Sequence, residues 1–452
     1  MPSPEMPPST DPRGTVALSR RHAWMLLGAG LMWPFHRARA ADSRGSSPPL
    51  NAAEAVTSDD PSTARLVDAQ LAPAQFALDL GRLPDATLTA YVADVTATLQ
   101  RHVARTDLTL AVRVLRAHHL QAYAFPAGSI GLSRGMLLAL QDEAELAALI
   151  ALQAAHAEAG RVNLPPGARD ARQAVVTQAV AASQASAWSP PLGLDGRLGT
   201  STLLPVRSAS QAREADQRAL RLLSDAGYPA LALPALLQRL VDLRRQQPGL
   251  LAAFELGEPA LDSRVGTARQ VAEQRHGMSR SRPVRRERWL AATDTLRQQQ
   301  TLVSDAQTAE QAMLRQEWPF ALERLQTALA QQPRDHAVLM RTAQCLQAMG
   351  RLREARGHVA AAREVDPDEP LACKLGATLA LAQRDPAHAW LELEAHDRLL
   401  PGDPAIVFLK GVALEALGQA ARAAEHYRAY LGYTAQGQAA QYAVSHLKLL
   451  GR

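Results

Sequence analysis

The chain has 452 residues, 47% of them apolar and 4% aromatic, with 49 Lys and Arg against 44 Asp and Glu for a formal net charge of +5. That length suits two or three domains of ~100–200 residues each, and the apolar fraction excludes global disorder. Two cysteines exclude a disulfide-rich scaffold and a Cys-based zinc module, and no run of 18 apolar residues offers a membrane span.

Residues 1–40 carry Arg13, Arg20, Arg21, Arg37 and Arg39 against Glu5 and Asp11. Most of the positive excess therefore sits in this leader, and the rest of the chain is close to neutral. The leader reads as an export signal: a basic pair, a short apolar stretch Trp24–Phe35, and the cleavage pattern Ala38-Arg39-Ala40. Ser19-Arg20-Arg21 partly matches a twin-arginine signal, with Ala23 where a larger apolar residue is usual. The expectation is a periplasmic or otherwise exported protein with no transmembrane segment after signal removal. Peripheral envelope association remains open, and nucleic acid is not expected as a partner. Residues 41–60 read as a flexible linker.

Residues 85–101 have helical apolar spacing (Leu88, Tyr91, Val92, Val95, Leu99). Leu108, Leu110, Val112 and Val114 alternate as in a half-buried strand. A strand, a Pro126-Ala127-Gly128 turn and a second strand follow. Asp142 then caps a helix predicted over 143–159, with Gly160 as its stop. A small-residue helix is predicted near 168–187, inside a Pro/Gly-rich loop spanning 161–210. His118 and His119 are placed at a strand end, where neighbouring side chains point to opposite faces and make a poor joint ligand pair.

The run AYAFPAGSIGLSRGML, followed by DEAELAALIALQAAH, resembles the zinc metallopeptidases of family M48, which include the Oma, HtpX and CAAX-prenyl endopeptidase types. The resemblance covers residues 60–275. It implies an α+β zincin-like domain, mainly helical with a small sheet, over residues 61–287. In the family, two histidines of a His-Glu-x-x-His helix and an acidic residue of a later helix bind zinc, and the Glu is the general base. The resemblance puts Leu152 and Gln153 at the first ligand and the base, keeps His156, and puts Ala212 at the third ligand with Asp216 kept after it. A further family histidine falls on Glu258. Leu152 and Ala212 have no lone pair to give, and Gln153 cannot take a proton from water. No intact catalytic set and no bound zinc are expected. The retained His156 and Asp216 are expected to share a hydrogen bond. The alternative is an active zinc metalloendopeptidase with a displaced metal site, using His156, Glu214 and Glu258. The loop at 161–210 overhangs the cleft in relatives. Tyr123, Ala124 and Phe125 fall on the family's substrate-pairing edge strand, which makes them peptide-binding candidates.

Arg280, Arg282, Arg285, Arg286 and Arg288 form the one basic run after the leader and read as a solvated linker, with an anionic surface or acidic partner as the other reading. Beyond it, Pro333, Pro367 and Pro401 recur at 34 residues, as do Ala321, Ala355, Ala389 and Ala423, and also Ala309, Ala343, Ala377 and Gly411. That is the period of the tetratricopeptide repeat, a helix–turn–helix unit that stacks into an all-α solenoid. The repeats are framed as 302–335, 336–369, 370–403 and 404–437, with a closing helix, within a region running over 288–452. Such solenoids bind proteins or peptides in a concave groove, for which Met340, Gln344, Lys374, Thr378, Phe408 and Val412 are the candidates. Docking of the repeats against the preceding domain is the competing role. Cys345 and Cys373 are expected as buried thiols, with a disulfide as the alternative. Family members that join this peptidase domain to such repeats are periplasmic and assist β-barrel assembly. The resemblance therefore implies a non-catalytic envelope protein that binds protein or peptide clients through its repeats and its cleft, in outer-membrane protein assembly or quality control.

Overall fold

The computed structural model describes residues 56–58, 61–159, 162–164, 209–246, 261–435 and 437–450, all within one unit, Ser43–Arg452. The helix expected near 168–187, the stop at Gly160, the linker over 41–55 and the leader lie outside the described residues.

Strand β1 (Val56–Ser58) leads into α1 (Pro61–Leu78) and α2 (Ala86–Gln100). The α2 helix starts where the sequence reading puts it. Its N-cap Asp85 accepts the Leu88 amide at 2.9 Å, satisfying a donor that a helix start leaves unpaired. Strands β2 (Ala111–Leu115), β3 (Ala122–Ala124) and β4 (Ser129–Ser133) form a sheet of order β2-β4-β3. In it β2 runs parallel and β3 antiparallel to β4, with Tyr123 opposite Gly131. The strand expected from Leu108 begins only at Ala111, although Leu108 and Leu110 are buried ahead of it. Asp68 of α1 fixes the β3–β4 turn by accepting the Ala127 and Ser129 amides, each at 3.1 Å.

Helix α3 (Arg134–Ala139) follows β4 directly, capped by Ser133. At its start the chain passes so close to the β2–β3 connection that a Cβ on Gly135 would lie 1.7 Å from the His118 carbonyl oxygen. Gly135→Ala should therefore force backbone apart, at a cost of about 3 kcal/mol or more. Urea unfolding of that variant is the check, and a midpoint equal to that of the unaltered chain would contradict the close approach.

Helix α4 (Glu143–Glu158) begins at its N-cap Asp142, which accepts the Glu145 amide at 2.9 Å. Nearly every residue from Glu143 to Ala155 is buried, as for a helix at the centre of a core rather than at its edge. Strand β5 (Val162–Leu164) pairs antiparallel with β1. Helices α5 (Ala209–Asp225) and α6 (Ala232–Gln246) both pack on α4, and α7 (Leu261–Arg275) packs across α5 and α6. A 3₁₀ turn (Gly277–Ser281) and the short helices α8 (Arg286–Ala292) and α9 (Asp294–Gln298) lead onward.

The repeats follow as helix pairs: α10 (Gln300–Leu314) with α11 (Trp318–Gln331), and α12 (His336–Ala348) with α13 (Leu352–Val365). Next come α14 (Pro370–Ala382) with α15 (Pro386–Leu399), α16 (Pro404–Ala416) with α17 (Ala420–Tyr433), and the closing α18 (Gln438–Leu450). From α12 onward each first helix begins 34 residues after the last, the period of the sequence ladders. Ala309, Ala343 and Ala377 of the first helices and Ala321, Ala355, Ala389 and Ala423 of the second are fully buried where the paired helices meet. The architecture is thus an α+β domain, mainly helical with a small sheet, joined to an all-α repeat region. No helix among the described residues is long and apolar enough to cross a membrane.

Candidate functional site

The sequence candidates fall at the contact of α4 with α5. Leu152 and Gln153 of α4 and Ala212 of α5 are buried, and His156, one turn beyond Leu152, is half-buried. The Gln153 side-chain oxygen is buried without a hydrogen-bond partner. Asp216, one turn after Ala212, does not reach His156. Arg264 of α7 takes both its oxygens instead, at 2.9 and 2.6 Å, with the guanidinium almost fully buried. That corrects the expected imidazole–carboxylate bond. A fixed guanidinium fork matches a carboxylate in two parallel bonds, and α7 delivers one to this spot. Glu258 lies outside the described residues. Glu214, a member of the alternative metal set, faces outward and pairs with Arg218 at 2.7 Å. Among the described residues no three His, Cys, Asp or Glu are grouped to hold a metal ion. Zinc needs nitrogen, sulfur or carboxylate donors. Of the α4 and α5 side chains at the expected ligand positions, His156 alone brings one, so the residues present do not fit the ion.

A family model, Peptidase family M48, matches residues 86–331, which is more than half of the chain. The chain belongs to peptidase family M48. A tetratricopeptide-repeat model matches residues 312–379, so this M48 protein carries such repeats C-terminal to its peptidase domain. The two matches overlap over residues 312–331, which include the whole of α11. No curated protein matches the chain.

The peptide-binding candidates are placed differently from expectation. On β3, Tyr123 and Phe125 are buried against Phe76 of α1, and the Tyr123 hydroxyl donates to Asp79 at 2.6 Å. Ala124 is buried on the opposite face, in the cluster that contains α4. The side chains are therefore core, while β3 itself is an edge strand. Of the groove candidates in the repeats, five are buried and Thr378 is half-buried. Met340 is core. Gln344 accepts from Arg341, and the Lys374 ammonium donates to Asp403 at 2.9 Å. Thr378 accepts from Gln347 of the neighbouring first helix. Phe408 packs among Tyr427, Tyr430 and Tyr442, and Val412 is buried. These partners lie within the repeat region itself, and five of the six side chains are buried there.

The domain junction is the feature that sequence reasoning missed. Leu80, held in the left-handed region, enters the repeat core. Arg134 of α3 makes a bidentate pair with Asp335, the N-cap of α12, at 2.7 and 2.9 Å, and Arg116 pairs with Asp366 at 2.6 Å. His118 lies 3.3 Å from the Glu310 carboxylate of α10, and His119 lies 3.2 Å from Asp79 and 3.9 Å from Glu310. The two histidines are thus in the β2–β3 connection, not at a strand end, and converge on one carboxylate. Burial opposes ionisation of Glu310, but Arg341 and His118 pull its carboxyl well below the usual range. Burial, aided by Arg134, lowers His118. In His119 burial is outweighed by Asp79 and Glu310, which raise it.

The basic run is not a solvated linker. Arg285 and Arg288 reach the buried Glu143 carboxylate, which also accepts the Tyr91 and Tyr228 hydroxyls at 2.8 Å. Arg282 donates to the Ser224 and Tyr228 carbonyls. Cys345 and Cys373 are free, buried thiols, each pushed up to about 11 by burial.

Glu369 caps α14 from a fully buried position beside Arg116, Asp366, His336 and Gly81. Burial raises its carboxyl to about 7, against the Leu371 and Ala372 amides, which hold it down. The native state therefore holds a proton that the unfolded chain releases near pH 4.5, and stability falls as pH rises from there to about 7. Glu369→Gln removes the ionisation and keeps an acceptor for the cap. It should raise stability by about 1–3 kcal/mol at pH 8 and have little effect at pH 5. Thermal melts of both proteins across that range test it, and an equal effect at both ends would refute it.

Proposed function

We propose that this M48 protein is non-catalytic and holds protein or peptide clients instead of hydrolysing them. The observation that carries the reading is the contact of α4 with α5, where Leu152 and Ala212, which have no lone pair to give, are buried at the family's ligand positions. Gln153 at the base position and the engagement of Asp216 by Arg264 support it. A hydrolytic water needs a metal or base to activate it, and these side chains supply neither.

Client binding follows from the repeats, whose architecture serves recognition, and from β3, an edge strand able to accept an extended peptide by backbone pairing. In β3 the Phe125 amide bonds to the Ser129 carbonyl of β4, and Gln121 accepts from Ser133. By the two-residue period of a strand, Ala122 and Ala124 then turn their amides away from β4. The leader over 1–40 supports an exported, periplasmic site of action, and the pairing of repeats with an M48 domain supports envelope proteins as clients.

Metal analysis of the purified protein, with casein digestion in the presence and absence of a chelator, tests the reading. The expected outcome is no bound zinc and no cleavage. Stoichiometric zinc with chelator-sensitive cleavage would establish the active alternative.

A further inference from the structure

The connection from α7 to α8, which contains the 3₁₀ turn, carries apolar side chains that the fold leaves in water. Met278 is 96% exposed, and Val284, near the end of the same connection, is 44% exposed. Slack does not explain this, because the connection is fastened to the peptidase domain at several points. The Ser279 hydroxyl accepts the Ala230 amide at 2.9 Å and donates to the His276 carbonyl at 2.8 Å. Arg282 donates to the Ser224 and Tyr228 carbonyls, and the Val284 carbonyl accepts the Ala144 amide at 3.2 Å. A Cβ on Gly277, beside Met278, would meet nothing within 4 Å. The tip is thus held firmly and stands in open space.

Arginines surround it. Residues 275–286 hold Arg275, Arg280, Arg282, Arg285 and Arg286 and no acidic residue. Arg285, with Arg288 beyond it, is set against Glu143 and Asp94. Arg275, Arg280 and Arg286 are exposed and enter no ion pair among the described residues, and Arg282, bonded to carbonyls, keeps its charge. Burial, with Arg221 and Arg275, holds the His276 ring below its ordinary value against Asp225. Arg221, near the end of α5, is therefore a fifth guanidinium beside the turn. The other acidic neighbours are Asp225, Glu273 and Glu287, so positive charge remains in excess. A stable protein partner covers on the order of 800 Å² of each side, more than a narrow protruding turn presents. A bilayer asks less: apolar side chains enter between the headgroups while arginines stay beside the phosphates.

We propose that this connection is a docking point for an anionic phospholipid bilayer. Met278 and Val284 enter the interface, and Arg275, Arg280 and Arg286 sit at headgroup level. The contact does not depend on whether the α4–α5 region is catalytic, nor on what the repeats bind.

A dye at the tip reports the contact directly. Met278→Cys in the full chain takes a polarity-sensitive fluorophore, which the buried Cys345 and Cys373 do not reach. Vesicles of phosphatidylglycerol and phosphatidylcholine in equal parts should shift its emission to the blue, and vesicles of phosphatidylcholine alone should not. Adding Arg275→Glu and Arg280→Glu, both at exposed positions, should raise the lipid needed for half the shift by at least about tenfold. High salt should weaken the shift in the same way. Flotation of the chain with vesicles while the dye stays in water would place the contact elsewhere and overturn the proposal. So would an undiminished shift in the arginine variant, or no shift at all. Release from the vesicles by an equal charge of hexaglutamate would make this a site for acidic peptides instead, and would overturn it too.

Discussion

Arg134→Ala is expected to cost about 3–5 kcal/mol of stability, the usual penalty for removing one partner of a buried ion pair. The Arg134 guanidinium is 1% exposed and holds both oxygens of Asp335. Burial works against ionisation of Asp335, yet Arg134 holds its carboxyl well below the usual carboxylate range. With the arginine gone, Asp335 keeps its charge in a place water does not reach, or takes up a proton near neutral pH. A carboxylate depressed in the folded state contributes stability that is present above its unfolded pKa and lost as pH falls through the folded one. Arg134→Ala should lose that contribution, so its deficit against the unaltered protein should be largest near neutral pH and shrink as the pH falls and Asp335 takes up a proton. Asp335→Asn keeps an oxygen for the Val338 amide that Asp335 now caps and removes the stranded charge. The double variant should therefore recover part of the loss, with a coupling above about 1 kcal/mol. Urea unfolding of the four proteins closes the cycle. Additive effects would mean that the pair does not hold the junction.

The junction also shows where legibility in the sequence ended. Features set by neighbours along the chain were readable. Asp85 and Asp142 cap the helices predicted to follow them, and the 34-residue ladders mark the packed faces of the repeats. Features set by contacts across two hundred residues were not. His118 and Glu310 are 192 residues apart, and no local pattern links them. The alternation rule that separated His118 from His119 applies to strands, and these residues lie in a connection. The groove candidates in the repeats occupy the expected helix positions, but periodicity cannot say that another part of the same chain, or the next helix, covers them. Arg285 and Arg288 read as a charge run because the sequence does not reveal that the first-turn Glu143 is buried beneath them. One signal was available: a Glu that a helical pattern buries needs cationic or hydroxyl partners, and the arginine run was the nearest unassigned supply. At the α4–α5 contact the reverse holds. The substituted positions were visible in the sequence, whereas the Arg264 fork on Asp216 was not, since two side chains 48 residues apart share no local pattern.

Those substituted positions define the second large effect. Leu152→His, Gln153→Glu and Ala212→Glu together should give a chain that binds zinc stoichiometrically. Positions 152 and 156 are one turn apart on α4, so a histidine at 152 would join His156 on one helix face, and Ala212 lies on the helix packed against it. Leu152 and Ala212 are at most 1% exposed. Without metal, the new imidazole and carboxylates would be buried unpaired, at a cost of several kcal/mol, and Ala212→Glu adds volume to a filled contact. The metal-free triple variant should therefore melt well below the unaltered protein. Zinc at a thousandfold excess over its Kd should return about 4 kcal/mol, and a chelator should abolish the gain. Ala212→Glu alone should show the destabilisation without the zinc response. Metal content and melting temperature, with and without chelator, read both effects. A triple variant that folds stably but ignores zinc would show that α4 and α5 do not present these positions to one another. The absence of donors at Leu152 and Ala212 would then carry no information about catalysis.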